Sequence, residues 1–163
     1  MQDRGEIYLE DLSVGQVFAS GSHTFVQHEM IEFAQQFDPQ DFHLDPARAV
    51  DTFFGRLCAS GWHTAAVTMR LFVTGELRIA GGLVGAGVEQ LRWSVPTYPG
   101  DTVTVSATIL EVRQMRSKPE FGIVKAQIIA TNQHGEIAQQ MIANLVVPRR
   151  RVDAPSPSPA CKA

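Results

Sequence analysis

Residues 33–64 decide the fold of this chain, and they read FAQQFDPQDFHLDPARAVDTFFGRLCASGWHT. Because Pro39 disfavours helical geometry in the residue before it, the amphipathic helix that opens the stretch is predicted to end at Asp38. The segment that follows has neither helical nor strand periodicity, and it carries Asp38 and His43, two groups that can transfer protons. A second, strongly apolar helix is predicted to begin at Ser60-Gly61 and to present unpaired backbone N–H groups. An acid/base pair followed by a helix N-terminus suits chemistry on a carbonyl or thioester.

The bulk composition is that of one soluble globular domain. A chain of 163 residues fits a single domain that buries a real core. Apolar residues make up 44% of the chain and charged residues 19%, which is ordinary for a folded protein. The net charge of −3 argues against nucleic-acid binding, which needs a basic surface. No apolar run approaches the roughly 20 residues that span a bilayer, so we expect no membrane partner.

Cysteine usage and the first residues indicate a cellular location. Cys58 lies in an apolar run and Cys161 in a predicted tail, so we expect no disulfide between them. The opening residues MQDRGE contain no apolar signal region. Together these features predict a reduced, cytoplasmic protein.

The amino-terminal half combines a strand pattern with two helical patterns. Residues 16–26 predict a first strand, with a bulge or bend at Gly21. From Gln27 onward the apolar residues fall at i, i+3, i+4 and i+7 and form one stripe of a helix: Met30, Phe33, Ala34 and Phe37. Asp45-Pro46 is predicted to start a short helix as its cap and first residue, and Gly55 to end it.

The longest predicted helix runs from Ser60 to about Leu77. One of its faces is apolar over its whole length: Trp62, Ala65, Ala66, Met69, Phe72 and Val73. Further apolar residues lie off that face, so the helix is apolar nearly all round. Such a helix is expected to be wrapped by other elements, with Trp62 and Met69 in the core or lining a pocket.

Four strand patterns follow Gly82, at residues 83–95, 102–109, 121–132 and 136–147. Tight turns at residues 98–101 and 132–135 connect neighbouring strands. Consecutive strands joined in this way form an antiparallel sheet, and one sheet curled around one apolar helix is an α+β arrangement. We expect residues 1–148 to form this single domain and residues 149–163, rich in arginine and proline, to form a disordered tail.

Three motifs occur in order along the chain: FDPQDFHLD at 37–45, ASGWHT at 59–64 and LRWSVPTYPGD at 91–101. Together they resemble the MaoC-type dehydratases, the family that contains the (R)-specific enoyl-CoA hydratases. The resemblance covers roughly residues 12–147. It implies the hot-dog fold, a homodimer or a dimer of dimers, and an acyl-CoA thioester as the substrate of a hydro-lyase in fatty acid metabolism.

The resemblance also implies roles for particular residues. Asp38 and His43 match the catalytic aspartate and histidine of the hydratases, at the same separation. The family motif runs Gly-Asp-x-Asn-Pro-apolar-His, and here Phe37, Gln40 and Asp41 stand where that motif has glycine, asparagine and proline. The pair is therefore kept while its immediate surroundings differ.

A hydratase of this kind adds water to a trans-2-enoyl thioester, or removes it from the 3-hydroxyacyl thioester. The acid/base pair moves the protons, and the N–H of Gly61 is expected to stabilise the enolate oxygen with the helix dipole behind it. Ser60 is predicted to cap the helix and His63 to pack in its first turn, and both are further candidates for substrate contact. Gln40 and Asp41 are predicted to face solvent or the rim of the site.

Two other functions stay open at this level: a hot-dog thioesterase, and a non-catalytic protein that binds acyl-CoA. The scattered histidines form no metal-binding pattern and no glycine-rich phosphate loop is present, so we expect no metal and no cofactor beyond the coenzyme A of the substrate. Arg149 to Arg151 are weak candidates for contact with the coenzyme A phosphates. The sequence leaves open the acyl chain and the choice between coenzyme A and acyl carrier protein.

Overall fold

A five-stranded antiparallel sheet frames the protein, and a computed structural model describes residues 5–150. After a short 3₁₀ turn at Leu9–Asp11, the helices and strands follow in this order: β1 Val17–Thr24, α1 Gln27–Phe37, α2 Asp41–Leu44, α3 Pro46–Ala49, α4 Gly61–Thr74, β2 Val84–Trp93, β3 Thr102–Gln114, β4 Phe121–Asn132 and β5 Ile137–Pro148. The sheet order is β1-β3-β4-β5-β2, with every neighbouring pair antiparallel. The predicted α+β class is confirmed.

The core lies between α4 and one face of the sheet. Strands β3, β4 and β5 alternate buried and partly exposed side chains, as strands with one covered face do. Their inward residues are small or branched and pack beneath α4: Val105, Ala107, Ile109, Ala126, Ile128, Met141 and Ala143. The sheet therefore provides a rigid floor that fixes the position of α4.

The turns around the site form largely as the sequence predicts. Helix α1 ends at Phe37, and the side chain of Asp45 caps α3 by accepting from Ala47 N at 2.8 Å. Two boundaries differ from the prediction. The segment after Asp38 contains the short helix α2, and the helix expected to reach Gly55 ends at Ala49. A single helical turn is too short to show a period, so sequence patterns do not detect it.

Helix α4 was expected to be wrapped by other elements, and for one of its faces this prediction is wrong within residues 5–150. Trp62 is 59% exposed and Met69 is 38% exposed, so neither is a core residue of this chain. Helix α4 presents these side chains and Val73 on a face that the sheet does not cover. Strand β2 is an edge strand whose valines at 84 and 88 are exposed as well. The periodicity of the sequence shows that this face of α4 is apolar, but it does not show which element covers the face.

The predicted bulge in β1 is present, because the pairing of β1 with β3 shifts between Ala19 and Ser22, on either side of Gly21. The turn before β3 also forms as expected: Asp101 N donates to Tyr98 O at 3.1 Å, and Gly100 has φ +91°. No helix within residues 5–150 has the length and apolarity needed to cross a membrane.

The first two residues of the predicted tail are held in place. Arg149 Nε contacts Glu10 Oε1 at 2.9 Å, and Arg150 Nη2 contacts Asp11 Oδ2 at 2.6 Å. These ion pairs join the end of the sheet to the 3₁₀ turn, so both arginines already have anionic partners of their own. The rest of the predicted tail, residues 151–163 with Cys161, lies outside the described residues.

Candidate active site

Asp38 and His43 face each other at the end of α1. Asp38 Oδ2 lies 3.3 Å from His43 Nε2, with His43 buried in α2 and Asp38 partly exposed. Pro39 ends α1 and starts the turn that brings α2 back toward the carboxylate. The two proton-transferring groups of the sequence motif are therefore in contact, and one side of the carboxylate reaches solvent.

Two side chains donate hydrogen bonds to the carboxylate. Ser60 Oγ donates to Asp38 Oδ2 at 2.7 Å, and Gln40 Nε2 donates to Asp38 Oδ1 at 2.6 Å. Burial opposes ionisation of Asp38, but these two donors and the nearby His43 outweigh it and lower the pKa of the carboxyl below its ordinary value. Asp38 is therefore a carboxylate at neutral pH, ready to accept a proton.

The tautomer of His43 follows from its other ring nitrogen. His43 Nδ1 lies 2.8 Å from the carbonyl oxygen of Cys58, which only accepts, so Nδ1 carries a proton. The lone pair of Nε2 in the neutral ring then faces the carboxylate, which is also an acceptor. Two acceptor atoms that lie 3.3 Å apart repel each other. The contact is stabilised when the two atoms share a proton, or when one water molecule donates a hydrogen bond to each of them. The pair is thus arranged to bind and activate water.

The thiol of Cys58 lies beside the pair but does not suit nucleophilic chemistry. Its Sγ is 3.7 Å from His43 Nδ1, and the side chain is buried. Burial, together with the negative charge of Asp38, raises the pKa of the Cys58 thiol to about 11. The group stays a neutral thiol at neutral pH, and the thiolate needed for attack is not formed.

The N-terminus of α4 lies next to the pair. Ser60 caps the helix by accepting from Trp62 N at 3.2 Å, and the same hydroxyl donates to Asp38. Within the described chain, no acceptor receives the N–H of Gly61, the first helical residue. A free N–H at the positive end of a helix is suited to an oxyanion.

Gly61 is also packed against an indole ring. A Cβ added at position 61 would lie 2.8 Å from Trp93 Cε2, closer than real contacts allow. The ring of Trp93 is held by a hydrogen bond from its Nε1 to Gln139 Oε1 at 3.1 Å and by an edge contact with Trp62. Only glycine fits at position 61 with this ring in place.

The structure separates the site residues proposed from the sequence into two groups. Asp38, His43, Ser60 and Gly61 converge at one point. His63 is buried in the first turn of α4 and stacks on Phe33, so it packs there as predicted, facing a neighbouring cleft.

The two residues predicted at the rim have different surroundings. Gln40 is exposed and contacts Asp38, whereas Asp41 pairs with Arg48 at 3.1 Å. Three contacts of the site were missed by sequence reasoning: the amide of Gln40 on the carboxylate, the Cys58 carbonyl on the imidazole, and Trp93 against Gly61. The sequence held one signal of these contacts. Gln40 stands where the family motif has asparagine, and both side chains end in an amide that can donate to the carboxylate.

Replacing Ser60 with Ala is expected to raise the pKa of Asp38, because one donor to its ionised form is lost. In the native protein the lowered pKa stabilises the fold above the unfolded-state pKa, and this contribution disappears as pH falls through the folded-state pKa. In Ser60→Ala this contribution is smaller, and its loss is complete at a higher pH. An NMR titration of the Asp38 carboxyl carbon measures the change.

Ser60→Thr is the control, since it keeps the hydroxyl and should titrate close to the native protein. The alanine variant also loses the helix cap, at a cost of about 1 kcal/mol in unfolding free energy. An unchanged Asp38 titration in Ser60→Ala would show that the hydroxyl does not tune the carboxylate.

Comparison with known proteins identifies the family of this chain. A family model described as "MaoC like domain" matches residues 13–132. The chain belongs to this MaoC-like family. Its fold closely matches the crystal structure of the MaoC-like dehydratase from Rhodospirillum rubrum, with TM-score 0.86 and 47% identity over 90% of this chain and 99% of that chain. The expected resemblance is confirmed.

Two proteins with named activities are also similar to this chain. The (R)-hydratase from A. caviae involved in PHA biosynthesis gives TM-score 0.66 and 26% identity over 85% of this chain and 99% of that chain. The mesaconyl-CoA hydratase of Cereibacter sphaeroides is 30% identical over 73 residues, which are 45% of this chain and 21% of that protein. The chain thus spans about a fifth of the latter relative. The common architecture is the hot-dog fold, as expected.

Proposed function

We propose that this MaoC-like protein is a hydro-lyase that adds water to trans-2-enoyl-CoA thioesters and removes it from 3-hydroxyacyl-CoA. The observation that carries the proposal is the contact of Asp38 with His43, linked through Ser60 to the free amide of Gly61. The hydratases named among its relatives support the same reaction class.

The chemistry follows from the electronic demand of the substrate. Conjugation with the thioester makes the β-carbon electrophilic, provided that negative charge on the carbonyl oxygen is stabilised. Water bound at the Asp38–His43 pair gives one proton to the pair, and its oxygen bonds to the β-carbon. The electrons of the double bond move to the carbonyl oxygen, where the N–H of Gly61 donates to the enolate. The pair then returns one proton to the α-carbon.

Each group contributes a definable part of the rate. A positioned acid or base typically accelerates such a step by about 10²- to 10⁴-fold. Removing one oxyanion donor typically costs about 10²- to 10³-fold. The lowered pKa of Asp38 keeps the carboxylate available as the proton acceptor at neutral pH. Because both groups of the pair lie together, the hydroxyl and the new proton reach the same face of the double bond.

The proposal is tested by incubating the protein with crotonyl-CoA. Loss of the absorbance of the conjugated thioester, together with formation of 3-hydroxybutyryl-CoA, is the expected result. A parallel assay for free thiol separates the alternatives. Release of coenzyme A from acyl-CoA would identify a thioesterase, and binding of acyl-CoA without turnover would identify a non-catalytic binding protein.

The assembly that fits this chain is a homodimer. The exposed edge of β2 and the uncovered face of α4 adjoin each other and together present Trp62, Met69, Val73, Val84, Val88 and Trp93. Pairing the edges of two copies would extend the sheet and cover the apolar side chains, which an isolated chain leaves in water. The measurement described next also detects a dimer of dimers, which would need a second contact between copies.

A charge in this surface should break the dimer. Val88→Arg is expected to give a monomer, or a dimer weakened at least about tenfold, because an unpaired guanidinium would be buried. Light scattering across a dilution series measures the mass. Leu110→Arg is the matched control, since Leu110 is exposed on β3, away from the edge. A native protein that is monomeric at all concentrations would contradict the assembly.

A further inference from the structure

A cleft of about 380 Å³ runs between α1 and α4, beside the proposed site. On α4 its wall is formed by His63, Val67 and Arg70, which lie at i, i+4 and i+7 and so share one face of the helix. On α1 the aromatic rings of Phe33 and Phe37 form the opposite wall. The cleft therefore follows α4 from its first turn for about two turns.

One end of the cleft adjoins the acid/base pair. Phe37 immediately precedes Asp38, and His63 lies two residues after Gly61. Phe33 stacks on His63 with ring centroids 4.7 Å apart, which closes the apolar part of the wall. An acyl group that extended along this face of α4 from a thioester held at Gly61 would enter the cleft beside His63.

The far end of the cleft is polar. Arg70 Nη2 donates to His23 Nδ1 at 2.6 Å, so the neutral ring of His23 carries its proton on Nε2. That Nε2 is buried and has no partner among the described residues, and the same holds for Nδ1 of His63, a residue only 8% exposed. Buried polar atoms without partners are uncommon in proteins and call for a ligand or water.

Arg70 is the charged group of this end. Within residues 5–150, its side chain forms no ion pair with a carboxylate, and its hydrogen-bond partner is an uncharged imidazole nitrogen. Burial, with Arg70 contributing, lowers the pKa of both His23 and His63, so both rings are neutral at neutral pH. A guanidinium with free N–H groups matches a carboxylate in charge and in planar geometry.

Two negative groups also border the cleft. Glu29 and Glu32 lie on the α1 side, and both are exposed. Their charges are screened by water and salt more strongly than a contact made inside the cleft. Glu29 opposes the lowering of the pKa of His23 and His63, so its charge reaches the polar end of the cleft, and an anion there depends on direct contact with Arg70.

We propose that this cleft binds the acyl group of the thioester and selects an acyl group whose far end carries a carboxylate. Residues 61 and 70 are separated by roughly 13 Å along the helix axis. The Arg70 side chain leans back toward the N-terminus of α4, which shortens this span. A six-carbon dicarboxylic half-thioester is the size that joins Gly61 to Arg70. This inference rests on the proposed function for the position of the thioester.

Binding of two saturated thioesters of equal length tests the selection without turnover. Adipoyl-CoA is expected to bind the native protein about tenfold more tightly than hexanoyl-CoA, as measured by calorimetry. Arg70→Gln should remove this preference, and Arg70→Lys should keep part of it, since it retains the charge but not the planar fork. Arg116→Gln, at an exposed loop arginine, is the control and should keep the full preference.

A second experiment compares the rates at which the protein hydrates trans-2-hexenedioyl-CoA and trans-2-hexenoyl-CoA. The ratio of their kcat/KM values should favour the diacid and fall in Arg70→Gln. Equal binding of the two saturated thioesters by the native protein would overturn the inference, even if crotonyl-CoA is hydrated. A preference for adipoyl-CoA that depends on Arg70, without hydration of any enoyl thioester, would support the cleft and reject the hydratase function.

Discussion

Asp38→Asn is expected to lower kcat/KM for crotonyl-CoA by about 10²- to 10⁴-fold, the contribution of a positioned acid or base. Asparagine keeps the size and planarity of the side chain and can still accept from Ser60 Oγ, so the loop between α1 and α2 should keep its shape. The amide cannot take a proton from water at neutral pH. The loss should therefore fall on kcat, with KM changed little.

The control for this substitution is Asp51→Asn, which makes the same chemical change at an exposed loop position. It should retain native activity. Thermal unfolding of both variants separates loss of chemistry from loss of fold. Native activity in Asp38→Asn would remove the carboxylate from the mechanism and with it the role assigned to the pair.

Gly61→Ala is expected to lower kcat by about 10²- to 10³-fold, the effect of displacing one oxyanion donor. The added methyl would stand 2.8 Å from Trp93 Cε2, so either the ring or the start of α4 must move. Movement of the helix start displaces the N–H that is aimed at the enolate oxygen. Overpacking of this kind also costs about 1–3 kcal/mol in unfolding free energy, which lowers the melting temperature.

A double-mutant cycle shows whether the indole ring causes the effect. If it does, Gly61→Ala should cost less in a Trp93→Ala background than in the native protein, because the ring that obstructs the methyl is absent. Gly21→Ala is the matched glycine control, since a Cβ there meets nothing within 4 Å. A Gly61→Ala protein with native kcat would mean that the amide at the start of α4 does not contact the transition state.

The sequence predicts the reacting groups of this site because they lie close together along the chain. Asp38 and His43 are separated by four residues, Pro39 predicts that α1 ends at Asp38, and the family resemblance assigns the roles of the pair. The groups that orient the pair come from further away. The carbonyl that fixes His43 belongs to Cys58, and the ring behind Gly61 belongs to Trp93. Such contacts depend on how loops return to the sheet, which no local pattern encodes.

The same difference between local patterns and contacts of distant residues explains which predictions about the fold were confirmed and which were wrong. Alternation in β3 to β5 and the helical stripe of α1 predict those elements, because burial on one side imposes the period directly. Trp62 and Met69 were predicted to lie in the core or to line a pocket, since they share an apolar face of α4. That face is apolar as predicted, but residues 5–150 leave it exposed, and its proposed cover is a second copy of the chain.

Hydration of crotonyl-CoA in deuterium oxide, followed by NMR of the product, tests whether Asp38 and His43 act together on one face of the double bond. We expect 3-hydroxybutyryl-CoA with deuterium at the α-carbon on the same face as the new hydroxyl, because both groups of the pair lie on one side of the substrate. Addition to opposite faces, or release of free coenzyme A without a hydroxylated product, would contradict it.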